Sequence, residues 1–217
     1  QKKRFSLVSV YKKDKLEHIC NLFKKNNIEI ISTGSTSKYI RKIGYKCIDV
    51  SYFTKFKEML DGRVKTLHPL IHASLLYDRK NNNHLKTFKK LNFPEICFVV
   101  VNLYPFNETI NSNTSIKKSI EMIDIGGTAL LRSAAKNFSS VTTICQIADY
   151  DIFIENMEKN FGKTTLNFRK KMAMQTFKVT SSYDYLISTW MGSKNNLIFS
   201  NHEKKILRYG ENPHQKS

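Results

Sequence analysis

Four short segments carry residue types from which a site for an anionic substrate can be assembled. The first is Met59-Leu60-Asp61-Gly62-Arg63-Val64-Lys65-Thr66-Leu67-His68-Pro69. Arg63 and Lys65 alternate, which on an extended backbone sends both side chains to one side. Two cations and the Thr66 hydroxyl beside a turn permitted by Gly62 suit a phosphate dianion or a developing oxyanion. A basic turn on a basic protein is the plain alternative. The second is Thr33-Gly34-Ser35-Thr36-Ser37, where hydroxyls and the free amides of a helix start can hold a phosphate; an ordinary Ser/Thr-rich cap fits equally well. The third, Val101-Asn102-Leu103-Tyr104-Pro105-Phe106, places a polar side chain and a phenol after an apolar run. Tyr104 can donate to a substrate oxygen there, or serve a packing corner with Pro105 and Phe106. In the fourth, Ile123 to Asn137, Asp124 precedes Gly126-Gly127, and Lys136-Asn137 ends the segment. The glycines let a ligand approach a helix start, while a lysine at a helix end otherwise complements the dipole.

The elements that must hold these segments alternate along the chain. Strands are expected at Phe5–Val10, Ile28–Ser32, Cys47–Val50, Ile96–Val101 and Val141–Ile144. The fourth is an almost unbroken apolar run of the kind buried on both faces of a parallel sheet. Between them, Lys15–Lys24 sets Leu16, Ile19, Cys20 and Phe23 on one helical face. Lys38–Ile43 closes at Gly44, and Ala129–Lys136 is in helical register. This β-α-β repetition predicts an α/β fold, an open parallel sheet with helices on both faces and sites at the strands' carboxyl ends. Tyr150–Lys159 and Asn167–Trp190 predict a C-terminal helical extension, able to cover the sheet or meet a second copy. After Gly192 the pattern breaks, and Leu207 to Gln215 reads as the opening of a further domain.

Composition excludes several classes. The chain has 217 residues, 41% of them hydrophobic, and 36 Lys+Arg against 18 Asp+Glu give a net charge of +18. Such a chain has material for a core and is neither disordered nor fibrous, and no apolar run approaches the roughly 20 residues of a membrane helix. The basic start Gln1-Lys2-Lys3-Arg4 leads into a run of only strand length without a cleavage site, so it is no secretory signal. Cys20, Cys47, Cys97 and Cys145 stand singly, which disfavours structural zinc and disulfides and points to a reducing compartment. The lysines are scattered in pairs such as Lys24-Lys25 and Lys170-Lys171, without an Arg-rich tract or interleaved aromatics. The charge is therefore read as a solvated surface rather than a nucleic-acid groove, one that still steers a phosphorylated metabolite inward.

Taken together, G-R-V-K-T-L-H-P, N-L-Y-P-F, I-D-I-G-G-x-x-L-L-R-x-A-A-K-N and L-R-Y-G-x-N-P-H-Q follow one another in the chain. With this set the sequence resembles, over almost its whole length, the bifunctional purine-biosynthesis enzymes that join an aminoimidazole carboxamide ribotide formyltransferase to an inosine monophosphate cyclohydrolase. The resemblance implies a methylglyoxal-synthase-like cyclohydrolase domain over residues 1–196 and the truncated start of a transformylase domain over 197–217. It implies dehydrative closure of a formamido ribotide to inosine monophosphate, with no metal or redox cofactor; a formyl-folate would serve the transformylase part. The implied partners are a purine ribotide monophosphate and a second copy in a homodimer, with no nucleic acid and no membrane, in the cytoplasm.

By the same resemblance, Ser9, Lys13, Gly34, Ser35, Thr36, Arg63, Lys65 and Thr66 surround the 5′-phosphate and nearby groups, and Asn102, Gly126 and Gly127 complete the substrate-binding set. Lys65, Tyr104, Asp124 and Lys136 form the catalytic set around the reacting base. Asp124 would orient or deprotonate the amide, while Lys136 or Tyr104 stabilises the oxygen; which residue moves each proton stays open. Four positions depart from the family pattern. Tyr11-Lys12-Lys13 replaces a Ser/Thr-Asp-Lys sequence, Ser35 and Ser74 replace glycines, and Val179 replaces a frequent histidine. A regulatory domain of the same fold, binding a nucleotide or phosphate as effector, is the main rival; methylglyoxal synthase activity is disfavoured.

Overall fold

The computed structural model describes residues 3–110 and 115–192. The chain runs from β1 (Arg4–Val10) through α1 (Leu16–Lys25) to β2 (Ile28–Ser32), then α2 (Gly34–Lys42), β3 (Ile48–Asp49) and α3 (Val50–Thr54). A 3-10 turn at Leu60–Gly62 precedes α4 (Pro69–Leu76) and α5 (Asn82–Leu91), which lead to β4 (Ile96–Asn102). The short α6 (Phe106–Ile110) and α7 (Ile116–Glu121) come before α8 (Ile125–Lys136), β5 (Thr142–Ile144), α9 (Tyr150–Lys159) and α10 (Leu166–Gly192).

All strand pairs are parallel, in the order β3-β2-β1-β4-β5. Side chains alternate across the sheet. Val8, Val10, Ile30, Phe98 and Val100 join Ile19, Phe23, Ile40 and Phe153 of the helices on one face. Leu7, Ile31, Val99 and Val101 join Ile71, Leu75, Leu130 and Leu131 on the other. Both faces are thus covered, as an all-parallel sheet requires. From β1 the chain winds outward to β2 and β3, then crosses back to β4 and β5. The carboxyl ends of β1 and β4, at this reversal, are where an open α/β sheet leaves a crevice.

The strands and the two C-terminal helices lie close to their expected positions, but four local expectations change. Val50 starts α3 rather than extending a strand, because the Asp49 side chain accepts the Ser51 amide at 3.0 Å and caps that helix. α2 begins at Gly34, four residues before the expected Lys38, and α8 at Ile125 rather than Ala129. Residues 62–66 are not uniformly extended. Leu60 and Asp61 both have φ of 53°, and Arg63 is helical at φ −65° and ψ −27°. Ser74, in place of a glycine, is fully buried, donates to the Pro94 carbonyl at 2.6 Å and accepts the Ile96 amide at 3.0 Å, tying α4 to the start of β4. Val179 packs on the core beside α8. The expected boundary at residue 196 and the segment from Leu207 to Gln215 lie outside the described residues.

Candidate active site

The start of α2 forms one wall of the crevice. Helix bonding begins with the Ser37 amide donating to the Thr33 carbonyl, and Thr33 makes no side-chain cap. The amides of Gly34, Ser35 and Thr36 consequently have no intrahelical acceptor. The first turn contains no acid, and Arg41 and Lys42 stand in the last turn, so the positive end of the dipole faces the crevice uncompensated. Gly34 sits in the left-handed region at φ 56°, and a Cβ built on it would lie 3.5 Å from Lys65 Nζ. That contact sets the Lys65 ammonium beside the free amides. Lys65 also pairs with Glu58 at 3.3 Å.

The Thr36 hydroxyl is already engaged. It accepts the Val10 amide at 3.1 Å and donates to the Val10 carbonyl at 3.0 Å, fastening α2 to the end of β1. Thr36 can therefore offer a ligand its amide but not its hydroxyl. Asn102 is engaged in the same way. Its Oδ1 accepts the amides of Tyr11 and Lys12 at 2.6 and 3.1 Å, and its Nδ2 donates to the Lys12 carbonyl at 2.9 Å. The loop whose usual hydroxyl and acid are replaced by Tyr11-Lys12-Lys13 is held from β4. The Tyr11 ring meets Tyr104 edge-on with centroids 5.1 Å apart.

Arg63 and Lys65 do not act as a parallel pair. The helical φ/ψ of Arg63 breaks the alternation, and its guanidinium grips Glu121 at the end of α7 through two bonds, the Nε contact at 3.2 Å. The Glu121 pair holds the Arg63 guanidinium charge firmly, raising its pKa. Both cations nonetheless border the crevice. Thr66, 6% exposed, places its hydroxyl 3.0 Å from where a Cβ on Gly126 would sit.

The opposite wall is the start of α8. Asp124 is its N-cap, accepting the Gly127 amide at 2.7 Å. A Cβ on Gly127 would fall 2.5 Å from Asp124 Oδ2, so only glycine leaves room for this carboxylate. Burial raises the Asp124 pKa, opposed by the backbone amides of Gly127 and Tyr104. A carboxylate has lone pairs beyond those the amides use, and one that ionises less readily is also a less reluctant proton acceptor. Tyr104, 39% exposed, also lines the crevice, its backbone amide facing Asp124 and its ring against Tyr11.

These walls enclose a cavity of about 620 Å³, within the range of small-ligand sites. Ser9, Lys13, Gly34, Ser35, Thr36, Arg63, Lys65, Thr66, Asn102, Tyr104, Asp124, Gly126 and Gly127 all border it. Lys136 does not. It is exposed at the far end of α8, about 18 Å from Asp124 at 1.5 Å of rise per residue, so one chain does not bring it to the other three expected catalytic residues. Sequence reasoning missed Asp61 and Glu121 in the lining. An acid at a turn and one at a short helix's end carry no sequence signal of their own. Among the described residues no three His, Cys, Asp or Glu side chains group to hold a metal ion, and none of their helices is long and apolar enough to cross a membrane.

Comparison with known proteins agrees with this architecture. Residues 15–129, more than half of the chain, match the MGS-like domain model, and residues 134–217 match that of the AICARFT/IMPCHase bienzyme. The bifunctional purine biosynthesis protein PurH of Clostridium beijerinckii is 41% identical over 98% of this chain and 43% of its own length. That of Fusobacterium nucleatum is 43% identical over 98% of this chain and 42% of its own length. The chain thus spans less than half the length of these relatives. A crystal structure of ForH superposes with a TM-score of 0.76 at 23% identity, covering 89% of this chain and 98% of that one, a likeness of fold. On the sheet and on the extent of the match, the chain belongs to the MGS-like domain family, and its residues 134–217 are similar to the AICARFT/IMPCHase bienzyme.

Proposed function

We propose that this chain is an inosine monophosphate cyclohydrolase, closing 5-formamidoimidazole-4-carboxamide ribotide to inosine monophosphate with loss of one water. The observation that carries this reading is the pairing, in one cavity, of an uncapped helix start flanked by Lys65 with the half-buried Asp124 carboxylate, Tyr104 lining the same cavity. A phosphorylated ligand anchored on the amides of Gly34, Ser35 and Thr36 and on Lys65 extends its base toward Asp124 and Tyr104. Ser9, Lys13, Arg63 and Thr66 complete the phosphate and ribose surroundings.

The substrate already holds nucleophile and electrophile, so the protein's task is to hold the rotamer in which they meet. The carboxamide nitrogen forms a bond to the formyl carbon and gives one proton to Asp124, which passes it to the formyl oxygen, so the carbonyl becomes the hydroxyl of a neutral carbinolamine and Asp124 is again a carboxylate. Tyr104 donates a hydrogen bond to that oxygen. Asp124 then takes the formamido N–H proton as the ring C=N bond forms and the C–O bond breaks, and the departing hydroxyl leaves with that proton as water, so Asp124 ends as it began and the reaction balances. Lys136 has no part in this scheme within one chain. Four free cysteines fit the reducing cytoplasm in which such a reaction would run.

Ring closure by the isolated chain, followed by ultraviolet absorbance, tests the proposal. Turnover that Asp124→Ala abolishes supports it. Tight binding of inosine monophosphate without any turnover would instead favour the effector-binding reading, for which the well-formed phosphate end is the supporting observation.

A further inference from the structure

The turn that delivers Asp124 to the cavity is held by a residue 59 positions away. Tyr183, on α10, accepts the Asp124 amide at its hydroxyl at 2.9 Å and donates the same hydroxyl to the Met122 carbonyl at 3.1 Å. The Asp124 carbonyl in turn accepts from Thr128 Oγ1 at 2.8 Å. The backbone of Asp124 is thereby tethered on both sides, by its own helix at the carbonyl and by α10 at the amide. Its side chain is then directed to the Gly127 amide.

Tyr183 does not border the cavity. It is 7% exposed, and its ring meets Phe106 edge-on with centroids 6.2 Å apart. Phe106 also meets Trp190 of α10 at 5.5 Å and follows Tyr104-Pro105 directly, its amide donating to the Tyr104 carbonyl at 2.8 Å. The Tyr104 turn and the Asp124 turn thus rest on one stretch of α10. Burial, with the nearby Asp124 and Asp184 charges adding to it, pushes the Tyr183 phenol up to about 12, so the hydroxyl keeps its proton and donates and accepts at once.

We propose that Tyr183 is a positioning residue for the Asp124 carboxylate, a role that rests on the ring-closure reading above. Removing the hydroxyl frees the amide of Asp124 and the carbonyl of Met122 together, while a phenylalanine ring keeps the packing on Phe106. The 122–124 turn then rotates about the Thr128 tether, and the carboxylate leaves its place at the α8 start.

Tyr183→Phe in the full chain tests this. The expected result is a kcat of ring closure lowered ~10- to 100-fold, the scale of a carboxylate misplaced by about 1 Å. KM should change less than about threefold, because the phosphate end is untouched. A merely structural tyrosine would lower the melting temperature and move kcat and KM together, or change nothing, and either result overturns the proposal. A second measurement does not depend on turnover: hydrogen exchange at the Gly127 amide, which Asp124 accepts, should quicken at least ~10-fold in Tyr183→Phe. Unchanged Gly127 exchange overturns the positioning role even if the wild-type chain closes the ring. Quickened exchange in Tyr183→Phe, together with a wild-type chain that closes no ring, upholds the tether and refutes only the cyclohydrolase reading.

Discussion

Gly127→Ala isolates the position of one carboxylate from the stability of the fold. The added Cβ would fall 2.5 Å from Asp124 Oδ2 and 2.8 Å from Cγ and Oδ1, whereas ordinary contact begins at 3.4 Å. The carboxylate must retreat by about 0.9 Å, and a misplacement near 1 Å costs roughly 10²-fold in rate, or about 2.7 kcal/mol of activation free energy. Stability should hardly change. Alanine gains up to about 1 kcal/mol of helix propensity over glycine, which offsets the loss of about 1 kcal/mol from a disrupted N-cap. Ring closure by absorbance and thermal unfolding therefore diverge: a ~100-fold slower enzyme with a melting temperature within a few degrees of wild type. In the double variant with Asp124→Ala the Cβ meets no carboxylate, so the second substitution should add no further loss of rate, a non-additivity expected of groups in contact. Wild-type turnover by Gly127→Ala, or additive losses in the double variant, would refute the placement of Asp124 at the reaction centre.

Lys65→Met removes the cation beside the free amides of α2 and should raise KM for the ribotide ~10- to 100-fold, the size of a lost charge-assisted hydrogen bond, with a smaller change in kcat; steady-state kinetics decides. Asn102→Ala deletes three hydrogen bonds holding the loop at Tyr11 and Lys12 and should lower stability by about 1–3 kcal/mol, read by urea unfolding, with faster exchange at the Tyr11 and Lys12 amides. The raised pKa of Asp124 sets the direction of the pH dependence. As a base it must be ionised, so kcat should fall with acid through a pH above the ordinary aspartate value of about 3.9. Its contribution to stability runs the other way, present below the unfolded value and lost as pH rises through the folded one. A pH–rate profile with an acid limb at or below the ordinary value would contradict the burial of this group.

Most of the scaffold was legible in the chain, because strand signals are local. The run from Ile96 to Val101 is apolar at every position since both its faces are covered, and Leu16, Ile19, Cys20 and Phe23 mark the buried face of α1 through spacing alone. Helix starts were less legible. Gly126-Gly127 and Gly34-Ser35 are poor helix formers, so propensity placed both starts several residues late. In the fold one start is made by the Asp124 cap, and the other by the Thr36 bonds to β1.

The site divides along the same line. Residue types and order pointed to candidate segments, the resemblance they carry supplied the fourteen expected residues, and thirteen of these border one cavity. Only the tertiary structure decided what each side chain is free to do. Asn102 and the Thr36 hydroxyl hold backbone, Arg63 and Lys65 part toward Glu121 and Glu58, Lys136 lies at the end of α8 away from Asp124, and Tyr183 reaches Asp124 from another helix. A hydrogen bond is satisfied by whichever partner the fold brings within about 3 Å, and that partner can stand 59 residues away, where no pattern in the sequence registers it.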